Sequence, residues 1–277
     1  METFIEILKA ILIGIVQGIT EWLPVSSTGH MIIVNEFVRL DVSDACWGLF
    51  EVITQLGSIL AVVILFFEKL NPFSRKKSPD QRKQTWTLWL RVIVAVLPAA
   101  VIGLIFEDWL DKTFYKFVPV AIALIVYGIL FIIIERINKN RKMKCESVYD
   151  INYPTALKIG CFQVLSLIPG TSRSGSTILG ASTIGVSRTA AAEFSFFLAI
   201  PVMLGASALK VLKFLLDGAT LTSTEVIVLI TGTFTAFLVS LIVIKFLMAF
   251  VKRHSFESFG WYRIVLGAIL VIYAIIK

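Results

Sequence analysis

Glu21, Ser27 and His30 fall within one short polar stretch of a strongly apolar chain, and Arg173 falls within a second stretch of the same kind. A carboxylate at Glu21 could hold a divalent cation against a phosphate, or take a proton from a nucleophile. Its plainer role would be an ion pair with Arg173. His30 lies close behind Ser27 at a helix start, within reach of it, and histidine is the commonest general acid or base. Arg173 offers a planar fork of donors suited to phosphate oxygens. A charge inside apolar sequence is costly and usually functional. These residue types in this pattern point to an anion site.

The elements that must position these groups are duplicated. Ala10-Ile-Leu-Ile13-Gly14-Ile-Val-Gln17 recurs as Ala156-Leu-Lys-Ile159-Gly160-Cys-Phe-Gln163. Each copy runs into a hydroxyl-rich break: Pro24-Val-Ser26-Ser27-Thr28-Gly29-His30 in the first, Pro169-Gly170-Thr171-Ser172-Arg173-Ser174-Gly175 in the second. Pro24 and Pro169 stop the incoming helices, and the Ser, Thr and Gly residues that follow are good N-caps for outgoing helices at about 28–39 and 175–185. Two helix N-termini then face one another, and their free N–H groups, dipoles and hydroxyls favour an anion. Gly14, Gln17, Gly18 and Glu21 recur at helical spacing, so Gln17 and Glu21 face one cavity. Ser26, Thr28, Gly170, Thr171, Ser172, Ser174, Ser176 and Thr177 are expected to line the anion with them.

The rest of the chain says where such a site would sit. Of its 277 residues 57% are hydrophobic and 16% charged, with a mean hydropathy of +0.86; soluble domains are about one quarter charged. The expected fold is therefore an all-α integral membrane protein, one domain over 1–277. Six segments are long enough to cross a bilayer, at roughly 45–67, 87–106, 117–135, 188–211, 224–250 and 259–276. Residues 10–20 with 31–38, and 156–168 with 175–186, are shorter and interrupted, the first pair by Lys9, Glu21, Asn35, Glu36 and Arg39. Each pair reads as a re-entrant helix-loop-helix hairpin. Such backbone is allowed at membrane depth only when buried in protein or lining a polar cavity. One hairpin plus three spans makes a half, so the repeats at about 1–137 and 150–277 should have inverted topology and meet near the midplane.

Charge follows the same plan. Lys and Arg residues exceed Asp and Glu, 26 to 19, but they cluster in loops at 69–91, 136–144 and 252–263, the last holding Lys252, Arg253 and Arg263. These are topology signals that place the three loops in the cytoplasm, and no nucleic-acid partner is expected. Glu107, Asp108 and Asp111 then fall outside, as do both ends of the first hairpin. Cys46, Cys145 and Cys161 have no metal or redox spacing. The N-terminal stretch reads as mature sequence and not as a cleaved signal. Glu51 with Gln55, and Glu193 with Ser195, either line the cavity or join helices by hydrogen bonds. Gly180, Gly185, Gly205 and Ala206 read as close-packing positions, and His254 as solvated.

The stretch Gln17-Gly18-Ile-Thr20-Glu21-Trp-Leu23-Pro24-Val-Ser26-Ser27-Thr28-Gly29-His30 closely resembles the first signature of the bacterial undecaprenyl pyrophosphate phosphatases of the bacitracin-resistance type. Pro169-Gly170-Thr171-Ser172-Arg173-Ser174-Gly175-Ser176-Thr177 resembles the second, and Ala192-Glu193-Phe194-Ser195-Phe196-Phe197-Leu198-Ala199-Ile200-Pro201 is similar to that family as well. Gln17 stands where the family has Glu or Gln. The resemblance implies hydrolysis of undecaprenyl pyrophosphate to undecaprenyl phosphate and inorganic phosphate, at the outer face of the bacterial cytoplasmic membrane. That would recycle the lipid carrier for peptidoglycan and confer bacitracin resistance. A pyrophosphate head needs concentrated positive potential, here from Arg173, helix ends and a Mg²⁺ or Ca²⁺ ion, while the polyprenyl tail stays in the bilayer. Ser27 is then the nucleophile, Glu21 base or metal ligand, His30 auxiliary acid or base, and Arg173 with Ser172, Ser174 and Thr177 the phosphate clamp. Exchange of the Glu21 and His30 roles, and direct attack by water, stay open, as does a homodimer.

An inverted repeat with broken helices is also the plan of alternating-access carriers, so a lipid-phosphate flippase is the second expectation. The Glu21, Ser27 and His30 set favours an enzyme, since transport alone does not need it. An anion channel fits less well, because the breaks lack the rings or carbonyl filters of conducting pores.

Overall fold

The computed structural model describes residues 2–114 and 116–276, with the side chains at 2, 32, 107, 108, 111, 112 and 117 outside that description. Eleven α-helices account for most of these residues. They are α1 (Glu2–Thr20), α2 (Ser27–Phe37), α3 (Asp44–Leu65), α4 (Phe67–Leu70), α5 (Pro79–Phe114), α6 (Phe117–Asn138), α7 (Tyr153–Val164), α8 (Arg173–Thr183), α9 (Arg188–Leu216), α10 (Ser223–Val251) and α11 (Glu257–Ile276). Side chains start several of them: Ser43 accepts from the Cys46 amide, Asn152 from Thr155 and Ser187 from Ala190, while Thr222 and Glu225 form a reciprocal capping box. Among the described residues β pairing is limited to an isolated parallel bridge between Cys145 and Val186.

All six expected spans are helices, within a few residues of their expected bounds except α5, which begins earlier and ends later. A seventh helix is also long and apolar enough to cross a membrane, because α1 runs unbroken from Glu2. Lys9 does not interrupt it. Its ammonium is neutralised by Glu6 at 2.7 Å and donates to the Arg39 carbonyl at 2.9 Å, so the charge is absorbed at the end where α2 returns. The second expected hairpin keeps short arms, twelve residues in α7 and eleven in α8.

Helix pairing follows where small residues let backbones touch. α1 lies on α10, and α7 lies on α5. A Cβ on Gly14 would stand 2.6 Å from the Gly232 carbonyl oxygen, and one on Gly160 would stand 2.3 Å from that of Ala95, so neither contact admits a side chain. The duplicated Gly of each leading helix thus serves the same purpose in both copies. α6 crosses α11 in the same way at Gly128 and Gly260, where a Cβ on either would stand 2.7 Å from the other's carbonyl oxygen.

The loops collect at two ends. At one, the Glu225 carboxylate accepts from the amide and hydroxyl of Ser43, near the Lys9 and Arg39 contact. At the other, Lys69 pairs with Glu193 at 2.7 Å, Arg91 donates to the Tyr149 carbonyl, and Asn138 and Arg141 donate to the carbonyls of Ser182 and Thr183 at the end of α8. The basic loops expected on one side do gather there. Arg263 is the exception: it is completely buried and belongs to the site, not to the loop.

Candidate active site

Two breaks in the helices meet inside the bundle, and they are built alike. Ser26 precedes α2 with φ 74°, and Ser172 precedes α8 with φ 73°. Left-handed backbone is disfavoured for a residue with a Cβ, so it persists only where its surroundings impose it. In both, the serine hydroxyl accepts from an amide one turn into the helix, Gly29 in the first and Gly175 in the second. Ser27 and Arg173 are therefore the opening residues of two equivalent helices. Beside them Gly170 adopts φ 95°, and a Cβ there would lie 2.6 Å from the Val120 carbonyl oxygen, so that turn tolerates glycine alone.

The carboxylate of Glu21 joins the two breaks. Its Oε2 accepts from Ser27 Oγ at 3.0 Å and from Gln17 Nε2 at 3.0 Å, and its Oε1 accepts from Arg173 Nη2 at 3.3 Å. Arg173 Nη1 donates to the Ser195 carbonyl at 2.8 Å, its guanidinium lies 5.9 Å from the Trp22 ring, and its Nε is buried without a partner. Ser174 Oγ donates to the carbonyls of Leu23 and Glu21, tying the second break to the first, and lies 3.1 Å from Ser172 Oγ. Glu21 is 4% exposed, whereas Ser27, Thr28, Ser172 and Arg173 are half-buried, so the opening of the site is on their side.

Other expected residues have different partners. His30 does not contact the Ser27 hydroxyl: its Nδ1–H donates to the Ser26 carbonyl at 2.7 Å, which leaves Nε2 to accept from the Tyr262 hydroxyl at 2.6 Å, with the two rings stacked. Ser176 donates to Tyr127, Thr171 caps the turn at Leu165 and Ile168, and Thr177 bonds to Ser195 Oγ at 2.7 Å. These three shape the second break from behind. Glu193 is held by Lys69, whereas Ser195, read above as lining the cavity or joining helices, supports both Arg173 and Thr177. Sequence reasoning missed Tyr262 and Arg263. Nothing local marked them, since both fall in the stretch 252–263 read as a basic loop.

Fold and site together define a multi-pass helical membrane protein in which two broken helices bring a serine, a carboxylate and an arginine to one corner. The chain belongs to the family described as bacitracin resistance protein BacA, whose model matches residues 10–269. It is 60% identical over 270 residues to an undecaprenyl-diphosphatase of Enterococcus faecalis, covering 98% of each chain. The undecaprenyl-diphosphatases of Streptococcus equi subsp. equi and Acetivibrio thermocellus are 53% and 55% identical, over 99% and 97% of this chain and 98% and 97% of theirs. These names carry the hydrolase expectation, and the flippase expectation finds no support in them.

Proposed function

We propose that this protein hydrolyses undecaprenyl pyrophosphate to undecaprenyl phosphate and inorganic phosphate, and that the single observation carrying the chemistry is the bond from Ser27 Oγ to Glu21 Oε2. Ser27 Oγ attacks the terminal phosphorus while its proton passes to Glu21, and the bond from that phosphorus to the bridging oxygen breaks as undecaprenyl phosphate leaves. Water then attacks the phosphoserine, phosphate departs, and the serine oxygen regains a proton. Arg173, with the N-termini of α2 and α8, neutralises the oxygens on which charge develops. Positioning and charge stabilisation dominate such a reaction. His30 keeps the Ser26 turn in place.

A Mg²⁺ or Ca²⁺ ion fits the oxygen chemistry of this corner when phosphate oxygens supply most of its ligands, as is common for Mg²⁺. Among the described residues no group of three or more His, Cys, Asp or Glu could cage an ion. Glu21, with Gln17 beside it, would be the protein's share, and the ion would neutralise the pyrophosphate. Purified protein should release phosphate from a polyprenyl diphosphate, and a chelator should suppress the release until magnesium or calcium is restored. No release from the intact protein would overturn the function; release indifferent to the chelator would remove the metal.

The site would open toward the outer face of the cytoplasmic membrane, with the two hairpins as inverted halves. Each outgoing helix has eleven residues, about 16 Å at 1.5 Å per residue, so two directed apart from a common point span roughly the 30 Å hydrocarbon core. Ser78 is exposed in the loop before α5. In a variant lacking Cys46, Cys145 and Cys161 but carrying Ser78→Cys, a membrane-impermeant thiol reagent should label only broken cells. Labelling of intact cells would reverse the orientation.

A further inference from the structure

Arg263 has no exposed surface, and what surrounds its charge is backbone. Its guanidinium donates to the carbonyl oxygens of Pro24 at 3.0 Å, Gly170 at 2.8 Å and Thr171 at 3.0 Å, and its Nε faces that of Leu124 at 3.5 Å. The Tyr127 ring lies beneath it at 5.5 Å. Pro24 belongs to the first break, Gly170 and Thr171 to the second. A Cβ on Gly175 would come within 3.2 Å of Arg263 Nη1, so the first turn of α8 leaves room for this group.

We propose that Arg263 is a positioning residue for phosphoryl transfer: it bolts the two breaks together through their carbonyls and so sets the distance between Ser27 and Arg173. The inference rests on the phosphatase reading of the site. Three consequences of the geometry carry it. A planar fork holds carbonyls from two loops at fixed angles to one another, which a flexible three-donor ammonium does not. Across a trans peptide the C=O and N–H groups point in opposite directions, so drawing the Thr171 carbonyl toward Arg263 directs the Ser172 amide away from it, at the N-terminus of α8. The neighbouring Tyr262 holds the first break from the same turn of α11, through His30 to the Ser26 carbonyl. Both strained serines are thus fixed by one helix that contributes no group to the Ser27, Glu21 and Arg173 corner.

The test is Arg263→Lys, which keeps the charge and loses the fork. kcat for phosphate release should fall about 10²-fold, the size of a misplaced but intact catalytic group, with KM within about two-fold of wild type. Hydrogen exchange, which needs no turnover, supplies a second readout: segments 23–30 and 169–176 should lose protection together, with α3, α9 and α10 unchanged. Wild-type protein should protect both segments. A proposal of this kind fails if either segment exchanges freely in wild type, if the variant keeps its kcat with both segments protected, or if the variant unfolds throughout, which would make Arg263 a folding residue. Should wild type release no phosphate, the phosphatase reading fails on its own, while the exchange data still decide whether Arg263 couples the two breaks.

Discussion

Ser27→Ala should release phosphate from polyprenyl diphosphate on the order of 10³-fold or more slowly than wild type, with lipid binding close to unchanged. The expectation follows from what Ser27 does and does not hold. Its hydroxyl donates to Glu21 Oε2, and Glu21 keeps two further donors, Gln17 and Arg173, when that bond is gone. The variant therefore loses the attacking oxygen and one hydrogen bond, worth about 1 kcal/mol of stability, while the clamp stays assembled. Binding of a non-hydrolysable polyprenyl diphosphonate, measured alongside turnover, separates the two effects. Near-normal turnover would transfer the attack to water or to another hydroxyl.

Arg173→Lys should lower the rate by about 10²-fold, on the order of 3 kcal/mol of transition-state stabilisation. Arg173 reaches the Ser195 carbonyl with one terminal nitrogen and Glu21 with the other. A lysine ammonium does not hold both at the fixed spacing of a guanidinium, and it no longer presents a planar fork to phosphate. Arg173→Ala is a harsher change, because it leaves Glu21 buried without its cation, and breaking such a pair costs about 3–5 kcal/mol of stability. The decisive comparison is thus between activity and melting temperature. If Arg173→Lys kept most of its activity while Glu21→Gln and Arg173→Ala destabilised the protein equally, the pair would be structural, and the helix N-termini with a metal would have to form the clamp.

The Glu21 and Arg173 ion pair, weighed from sequence as the plainer role, is present, and it occupies only one of the two carboxylate oxygens. One oxygen of Glu21 holds the arginine and the other takes the serine hydroxyl. A single carboxylate therefore sets the relative position of the proposed nucleophile and clamp.

The helices and the breaks were legible because their causes are local. Prolines at 24 and 169, the serines after them and long apolar runs act through neighbouring backbone, whatever the rest of the chain does. The two strained serines, at φ 74° and 73°, were not legible there, because a residue with a Cβ is held at positive φ only by its surroundings. Lys9 was misread because its neutralising partners, Glu6 and the Arg39 carbonyl, are a matter of how α2 returns to α1.

What residue types and spacing determined by themselves was the membrane class, the places where helices stop, and the set of groups able to handle an anion. Only tertiary structure decided which of those groups meet. His30 stands three residues from Ser27 in the sequence but turns to Tyr262, on a helix more than two hundred residues away. Arg263 reads as one more charge after a basic loop until the close crossing of α6 and α11 at Gly128 and Gly260 carries it, one turn further on, into the space between the breaks. The physical reason is that capping and helix termination involve backbone groups a few residues apart, whereas a buried cation finds its acceptors across helices, at a place set by which small residues allow two backbones to touch.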